Sequence, residues 1–138
     1  MFSSFTYVLT AGIENATLTG TARGLTGNRL DNHLIGNDSA NRLDGMGGND
    51  RMRGDAGADV FVFRTGHDRD TITDFDARGS NHDLLDLRDL RAVASFRDLV
   101  ENHTRQSGDD VIINTGNGDV IRLLNVAIGN LDAADVLI

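Results

Sequence analysis

The sequence has no cysteine, no proline, no tryptophan and no lysine. Without cysteine there is no disulfide framework, no thiolate metal site and no thiol nucleophile. Without proline, turns must rely on positive φ, and 16 glycines are present to supply it. Without lysine, no glycine-rich run can be a phosphate-gripping P-loop. All 13 basic residues are therefore Arg. Glutamate is nearly missing as well: of 21 acidic residues only Glu14 and Glu101 are Glu. A helical acidic surface would favour Glu, whereas Asp suits turns and short-armed oxygen ligation. No apolar run approaches the roughly 18 residues of a membrane span. The opening MFSSFTYVLTAGIE lacks the basic region and apolar stretch of a secretory signal peptide. The net charge of -8 disfavours nucleic acid and anionic membranes and favours cations. The expectation is one soluble domain spanning 1–138, without a nucleic-acid partner and without membrane insertion.

Catalytic signatures are also missing. His33, His67, His82 and His103 show no HExxH or other zinc spacing, and no G-x-S-x-G occurs. Asp74, Asp76 and Gly79 imitate the start of an EF-hand loop, but Arg78 and Leu85 stand at its fifth and twelfth places. The chain is expected to be non-catalytic.

What is present is a regular period. From Gly45 to Val62 the chain reads GMGGNDRMR and then GDAGADVFV. Each is a nine-residue unit with a Gly-rich turn, Asp at the sixth place and an apolar residue at the eighth. Upstream, GNRLDNHLI (27–35) and GNDSANRLD (36–44) fit the same frame with Asn at the sixth place. Leu25, Leu34, Leu43, Met52 and Phe61 recur at intervals of nine. Such a period predicts a parallel β-helix or β-roll that binds calcium in its turns. Before it, Phe5, Tyr7 and Leu9 alternate as in a strand. The run Ile13 to Leu18 reads as a degenerate first repeat with Leu18 in the inward slot, which makes the following turn shorter, since Leu25 is only seven residues on.

After Phe63 the period breaks. Thr71 to Phe75 and Asp83 to Leu87 read as short strands joined by a polar loop from Asp76 to His82. Ser95 is a candidate N-cap, with Asp98 as its capping-box partner, for a short helix reaching about Asn102. Thr115-Gly116-Asn117-Gly118 between Val111-Ile112-Ile113 and Val120 to Leu124 signals a hairpin. A one-turn helix is expected to start at Asp132. The expected architecture is all-β: a right-handed parallel β-roll over about 12–62, continued by an antiparallel region with one or two short helices over about 63–138.

The spacing explains the metal chemistry. Only about three residues of each unit are extended, and alternation sends the middle one inward. Two units make one coil, so turns on one edge lie 18 residues apart, placing Asp50 over Asn32 and Asp59 over Asn41. Glycines let turn carbonyls converge, and the Asp carboxylate completes the six to eight oxygens, at about 2.3–2.6 Å, that calcium prefers. A metal-free solenoid held by side-chain ladders is the competing reading, above all at Asn32 and Asn41. Four inward side chains do not offset the ordering of residues 27–62, and the Asp row repels itself, so folding is expected to be coupled to metal binding.

These features resemble the RTX (repeats-in-toxin) family, in particular the C-terminal domain of serralysin-type secreted metalloproteases. The likeness extends through Asp59 to Phe63, Asp70 to Phe75, Asp83 to Leu87, the GNGD hairpin and the terminal DVLI. In that family a turn lends carbonyls from its second and fourth places and its sixth-place side chain. The turn two units later lends carbonyls from its first and third places and its own sixth-place Asp. Carried over, one site uses Asn28, Leu30, Asn32, Gly45, Gly47 and Asp50. A second uses Asn37, Ser39, Asn41, Gly54, Ala56 and Asp59. Two more join Met46, Gly48 and Asp50 to Asp70, and Asp55, Gly57 and Asp59 to Asp83. Asn32 and Asn41 depart from the family's Asp and remove a charge from the first two sites. The resemblance further implies Ca2+ as cofactor, export from a Gram-negative bacterium by a type I (ABC exporter) machinery, and an extracellular location. Asp135, Val136, Leu137 and Ile138 are similar to its uncleaved C-terminal secretion signal; a last core strand alone is the competing reading.

One alternative concerns the surface. Arg51 and Arg53 are expected to point outward beside His33 and Ile35, with Arg42 on the other face. Such a pair can grip the carboxylates of an acidic polysaccharide (a polyuronate), and the repeat modules of alginate epimerases, which the sequence also resembles, would allow it. Solvated Arg balancing nearby Asp is the competing reading.

Overall fold

The structure is a computed structural model and describes residues 5–138. Two sheets face each other. The strands β1 (Thr6–Val8), β3 (Gly24–Thr26), β5 (Arg42–Asp44), β7 (Val60–Arg64), β9 (Leu84–Asp89) and β13 (Val136–Leu137) form one sheet in that order. The other runs β10 (Thr104–Ser107), β11 (Asp110–Gly116), β12 (Asp119–Leu123), β8 (Arg69–Ile72), β6 (Arg51–Arg53), β4 (His33–Ile35) and β2 (Asn15–Thr17). We refer to them as the odd and the even sheet. Up to β9 the chain alternates between them, so each strand pairs in parallel with the one two units away. This is the parallel β-roll.

Each repeat strand is three residues long because a Gly-rich turn interrupts it on both sides. Its middle residue points inward: Met52 is fully buried between exposed Arg51 and Arg53. Leu25, Leu43 and Phe61 stack in register in the odd sheet, as do Leu34 and Met52 in the even sheet. These columns continue beyond the repeats. Phe61 pairs with Leu85 and Leu85 with Val136; Met52 pairs with Ile72, Ile72 with Leu123 and Leu123 with Val111. Parallel pairing therefore extends past the expected 12–62 to β9 and β13. Among the described residues, antiparallel pairing is confined to β10, β11 and β12.

At its start, too, the roll is longer than its repeats. Tyr7 pairs with Leu25 and Ala16 with Leu34. Ala16, not Leu18, fills the inward slot, nine residues before Leu25, and no shortened turn is needed. Ladder hydrogen bonds set this register: the Leu18 N–H donates to Ile35 O at 2.8 Å, which puts Leu18 just past the strand, buried over the turn.

In the C-terminal half β8 ends at Ile72, and β9 runs on to Asp89, beyond the expected Leu87. Ser95 caps the short helix Phe96–Asp98, accepting from the Asp98 N–H at 3.1 Å. The Asp98 carboxylate reaches back to the N–H of Ala94 rather than that of Ser95, so the capping box is displaced by one residue. The helix then widens into the π-helical turn Leu99–His103. The hairpin turns on Asn117 and Gly118, with φ of 56° and 87°, the positive pair a two-residue hairpin requires. Asp132 and Asp135 close a reciprocal capping box on the turn Ala133–Asp135.

Candidate metal centre

The turns of the roll line two edges. One edge carries turns 27–32, 45–50 and 65–70; the other carries 36–41, 54–59 and the longer 73–83. Every sixth-place side chain lies at a turn's inner corner, where Asn32, Asn41, Asp50, Asp59, Asp70 and Asp83 are all buried. Each reaches the preceding coil. The N–H of Asn32 donates to Asp50 Oδ1 at 2.7 Å, and that of Asp50 to Asp70 Oδ1 at 2.9 Å. On the other edge Asn41 N–H donates to Asp59 Oδ1 at 2.8 Å and Asp59 N–H to Asp83 Oδ1 at 2.9 Å. Fifth-place residues make a ladder in the opposite sense: Asn49 N–H donates to Asp31 Oδ1 at 2.7 Å, and Arg69 N–H to Asn49 Oδ1 at 3.0 Å. The stacking inferred from 18-residue spacing is thus present atom by atom.

The Asn turns and the Asp turns differ in conformation. In 45–50, Met46 and Gly48 have φ of 70° and 91°; in 54–59, Asp55 and Gly57 have φ of 66° and 105°. These left-handed second and fourth places rotate the intervening carbonyls. No residue of 27–32 or 36–41 has positive φ. There Asn28 Oδ1 accepts from Leu30 N–H and Asn37 Oδ1 from Ser39 N–H, each at 2.9 Å, a side-chain turn that replaces the glycine one. Asn32 Oδ1 is filled by Asn28 N–H at 2.8 Å, and Asn41 Oδ1 by Asn37 N–H at 2.7 Å. Their amide nitrogens bridge upstream, Asn32 to Ile13 O at 3.1 Å and Asn37 to Ala22 O at 2.8 Å. The Asn28–Asn32 and Asn37–Asn41 pairs are therefore self-satisfied ladders. The turns of Asn28, Leu30 and Asn32, and of Asn37, Ser39 and Asn41, are thus bridged to the preceding coil by their own amide donors.

Asp50 and Asp59 are different. Oδ2 of each is buried and has no hydrogen-bond partner among the described residues. Burial pushes the Asp50 carboxyl up to about 8 and the Asp59 carboxyl to about 7, with Asp70 and Asp83 adding repulsion, respectively. Burial also raises Asp83, to about 6, and Asp70. A Cβ added to Gly45 or Gly54 would fall on the free Oδ2 of its own turn, so each glycine keeps a small cradle open. A Cβ on Gly27 would lie 2.6 Å from Gly45 O, and one on Gly48 the same distance from Leu30 O, showing how closely the turns nest.

An orphaned carboxylate oxygen in a cradle of turn carbonyls is an all-oxygen, hard donor set, which suits calcium. Among the described residues no three His, Asp or Glu side chains cluster as a metal site, so carbonyls must supply much of any shell. Met46, Gly48 and Asp50, and Asp55, Gly57 and Asp59, are the sets whose turns fit; Asp70 and Asp83, expected beside them, already have a protein partner on each oxygen. Gly47 and Ala56 lie in the same two turns. Asp74, which lies outside the nine-residue frame, steadies the second set by accepting from Gly54 N–H at 3.0 Å and Asp55 N–H at 2.8 Å.

The remaining candidates lie elsewhere. Arg51 and Arg53 flank Met52 on the outer even sheet, aligned with His33 and Ile35 as expected. Arg53 is held by Asp55 at 2.7 Å. Val136 and Leu137 add to β9 as the last strand, Asp135 is buried, and Ile138 is exposed.

Residues 26–61 match the family model of the RTX calcium-binding nonapeptide repeat (4 copies). Residues 26–61 therefore carry RTX calcium-binding repeats within the β-roll. Its fold is similar to the crystal structure of the extracellular lipase LipA from Serratia marcescens, with a TM-score of 0.80 at 19% identity. That match covers 95% of this chain and 20% of the lipase chain, so this chain spans a fifth of that protein's length. No curated protein matches the chain.

Proposed function

We propose that this RTX β-roll is a non-catalytic folding domain, ordered by calcium outside the cell after export of the unfolded chain by a type I secretion machinery. The observation that carries this reading is the pair of buried, unpartnered oxygens on Asp50 and Asp59. Buried ionised groups without partners oppose folding. A divalent cation supplies the missing partner, so the folded state is favoured where calcium is abundant, and a calcium-poor cytosol leaves the chain exportable. Asp135 to Ile138 serve as the C-terminal export signal, and Val136 and Leu137 among them pair with β9 at the end of the odd sheet. The first test is circular dichroism during calcium titration: a cooperative gain of β structure is expected, and a fully folded, calcium-indifferent protein would overturn the reading. Secretion is tested by co-expression with a type I exporter. Removal of residues 135–138 is expected to leave the protein inside the cell.

A second reading, binding of an acidic polysaccharide, is favoured by an asymmetry between the sheets. On the odd sheet Arg42 and Arg88 pair with Asp86, and Arg64 with Asp44 and Asp89. On the even sheet Arg53 pairs with Asp55 and Arg122 with Asp110, while Arg51, Arg69 and Arg105 have no carboxylate within ion-pair distance among the described residues. Arg69, Arg105 and Arg122 border a cleft with Thr71, Ile112 and Asn114. No aromatic ring lines that cleft, which suits carboxylate recognition better than base stacking. NMR titration with oligouronates is expected to shift Arg51, Arg69 and Arg105; silence there ends this reading.

A further inference from the structure

The second side-chain atom of each sixth-place residue follows a pattern along both edges. On the first edge Asn32 Oδ1 is filled by Asn28 N–H, Asp50 Oδ2 has no partner, and Asp70 Oδ2 meets His67 Nδ1 at 2.7 Å. On the second edge Asn41 Oδ1 is filled by Asn37 N–H, Asp59 Oδ2 has no partner, and Asp83 Oδ2 accepts from Asp76 N–H at 2.9 Å. The sequence on each edge is filled, open, filled.

The third position of the first edge is the informative one. Turn 65–70 has the same backbone as the two open turns, with left-handed second and fourth places: Gly66 has φ of 87° and Asp68 of 65°. By conformation it belongs with the metal turns, yet its carboxylate is not free. His67, itself buried, spans from Asp70 to Thr115 Oγ1 on β11, 3.0 Å from its Nε2, and its ring packs edge-on against Phe63. Asp119 secures the same turn by accepting from Gly66 N–H at 2.7 Å and Asp68 N–H at 3.1 Å. A side chain of the protein thus fills the place that the preceding turn leaves for a cation.

We propose that the roll holds two calcium ions, one at Asp50 and one at Asp59, and that the His67 imidazole stands in for a third by tying Asp70 to the antiparallel hairpin. This rests on the calcium reading above and sharpens it to a count and a residue. The ions then sit on opposite edges of the same coil. The Asn ladders close the roll upstream, and His67 and the Asp76 N–H close it downstream.

Native mass spectrometry of the folded chain in calcium, with calorimetric titration, reads the count directly. Two ions are expected for the wild type, and one each for Asp50→Asn and Asp59→Asn. His67→Ala leaves the Asp70 oxygen without its donor and is expected to bind three. A wild-type count of one, or of three or more, overturns the proposal while leaving calcium binding intact; a count of zero overturns the calcium reading itself. A folded His67→Ala that still binds two overturns the surrogate role. If that variant does not fold, the counts for the wild type and the two Asn variants decide the proposal.

Discussion

The backbone N–H of Asn32 donates to Asp50 Oδ1 at 2.7 Å, across one full coil of the roll. The same carboxylate thus uses one oxygen to hold the neighbouring turn and leaves the other without a protein partner. Asp50→Asn separates these roles, because an amide oxygen can still accept from Asn32 while the charge is gone. Above about pH 8, where Asp50 is ionised, the variant is expected to be more stable than wild type without calcium, by roughly 1–3 kcal/mol for relief of an unpartnered buried charge. It is also expected to gain less from calcium. Thermal melts with calcium and with a chelator check both signs, and a variant less stable in chelator contradicts the argument.

Protons and calcium compete for the same oxygens. Burial raises Asp50 to about 8 and Asp59 to about 7 from an ordinary value of 3.8. A carboxyl with a raised folded-state pKa disfavours the fold increasingly as pH rises above its ordinary value, and the effect is complete once pH exceeds the raised one. In the calcium-free protein these two groups therefore remove stability between about pH 4 and 8. Calcium takes the ionised form, so its affinity is expected to rise over the upper part of that window, with protons released on binding. Calorimetry at about pH 6 and 8.5, in buffers of different ionisation enthalpy, reads both; a pH-independent affinity would contradict it.

Gly45→Ala places a methyl on the free oxygen of Asp50. It is expected to abolish the ion on that edge. Gly129→Ala, where an added Cβ meets nothing within 4 Å, is expected to bind calcium as wild type does. Calcium counts for the two variants make the comparison, and equal counts would show that the cradle does not depend on the missing side chain.

Phe61 is fully buried, stacked between Leu43 and Leu85 in the odd sheet and 6.2 Å from the Phe75 ring. Phe61→Ala is expected to cost about 3–5 kcal/mol, from lost transfer energy and the cavity left behind. Chemical denaturation in saturating calcium gives the value. A cost below about 1 kcal/mol would mean that this column contributes little.

The architecture was legible because one spacing dominates it. The nine-residue ruler located Leu25 to Phe61 and the two turns whose Asp oxygens are open, since a repeated coil leaves little conformational choice. It failed where the coil persisted but the spacing did not. Met52 to Ile72 is 20 residues and Phe61 to Leu85 is 24, yet both pairs are in ladder register. Longer turns absorb the surplus, so the column survives while the period vanishes. At the start the small side chain of Ala16 gives a weaker apolar signal than Leu18 two positions on, although the ladder selects it.

The spacing marks the Asp and the Asn positions alike and does not separate the open turns from the self-satisfied ladders. Asn and Asp share a shape, but the amide carries its own donors, so it bonds to carbonyls that a carboxylate would need a cation to approach. His67 had no motif around it. Its partners Asp70 and Thr115 are 3 and 48 residues away, and only folding reveals the second. Strand β10 leaves no pattern in the sequence, because Thr104 to Ser107 has no buried side chain to imprint one.

The three-residue strand β6 joins turns 45–50 and 54–59, and it spans about 10 Å at the usual rise per residue. A link this short has almost no slack. Whatever orders one of its ends removes most of the freedom the other end would still have to lose. The two edges are thus joined as the jaws of one clasp, so that occupancy of either side should steepen the response of the other, and the domain should close over a narrow range of calcium concentration.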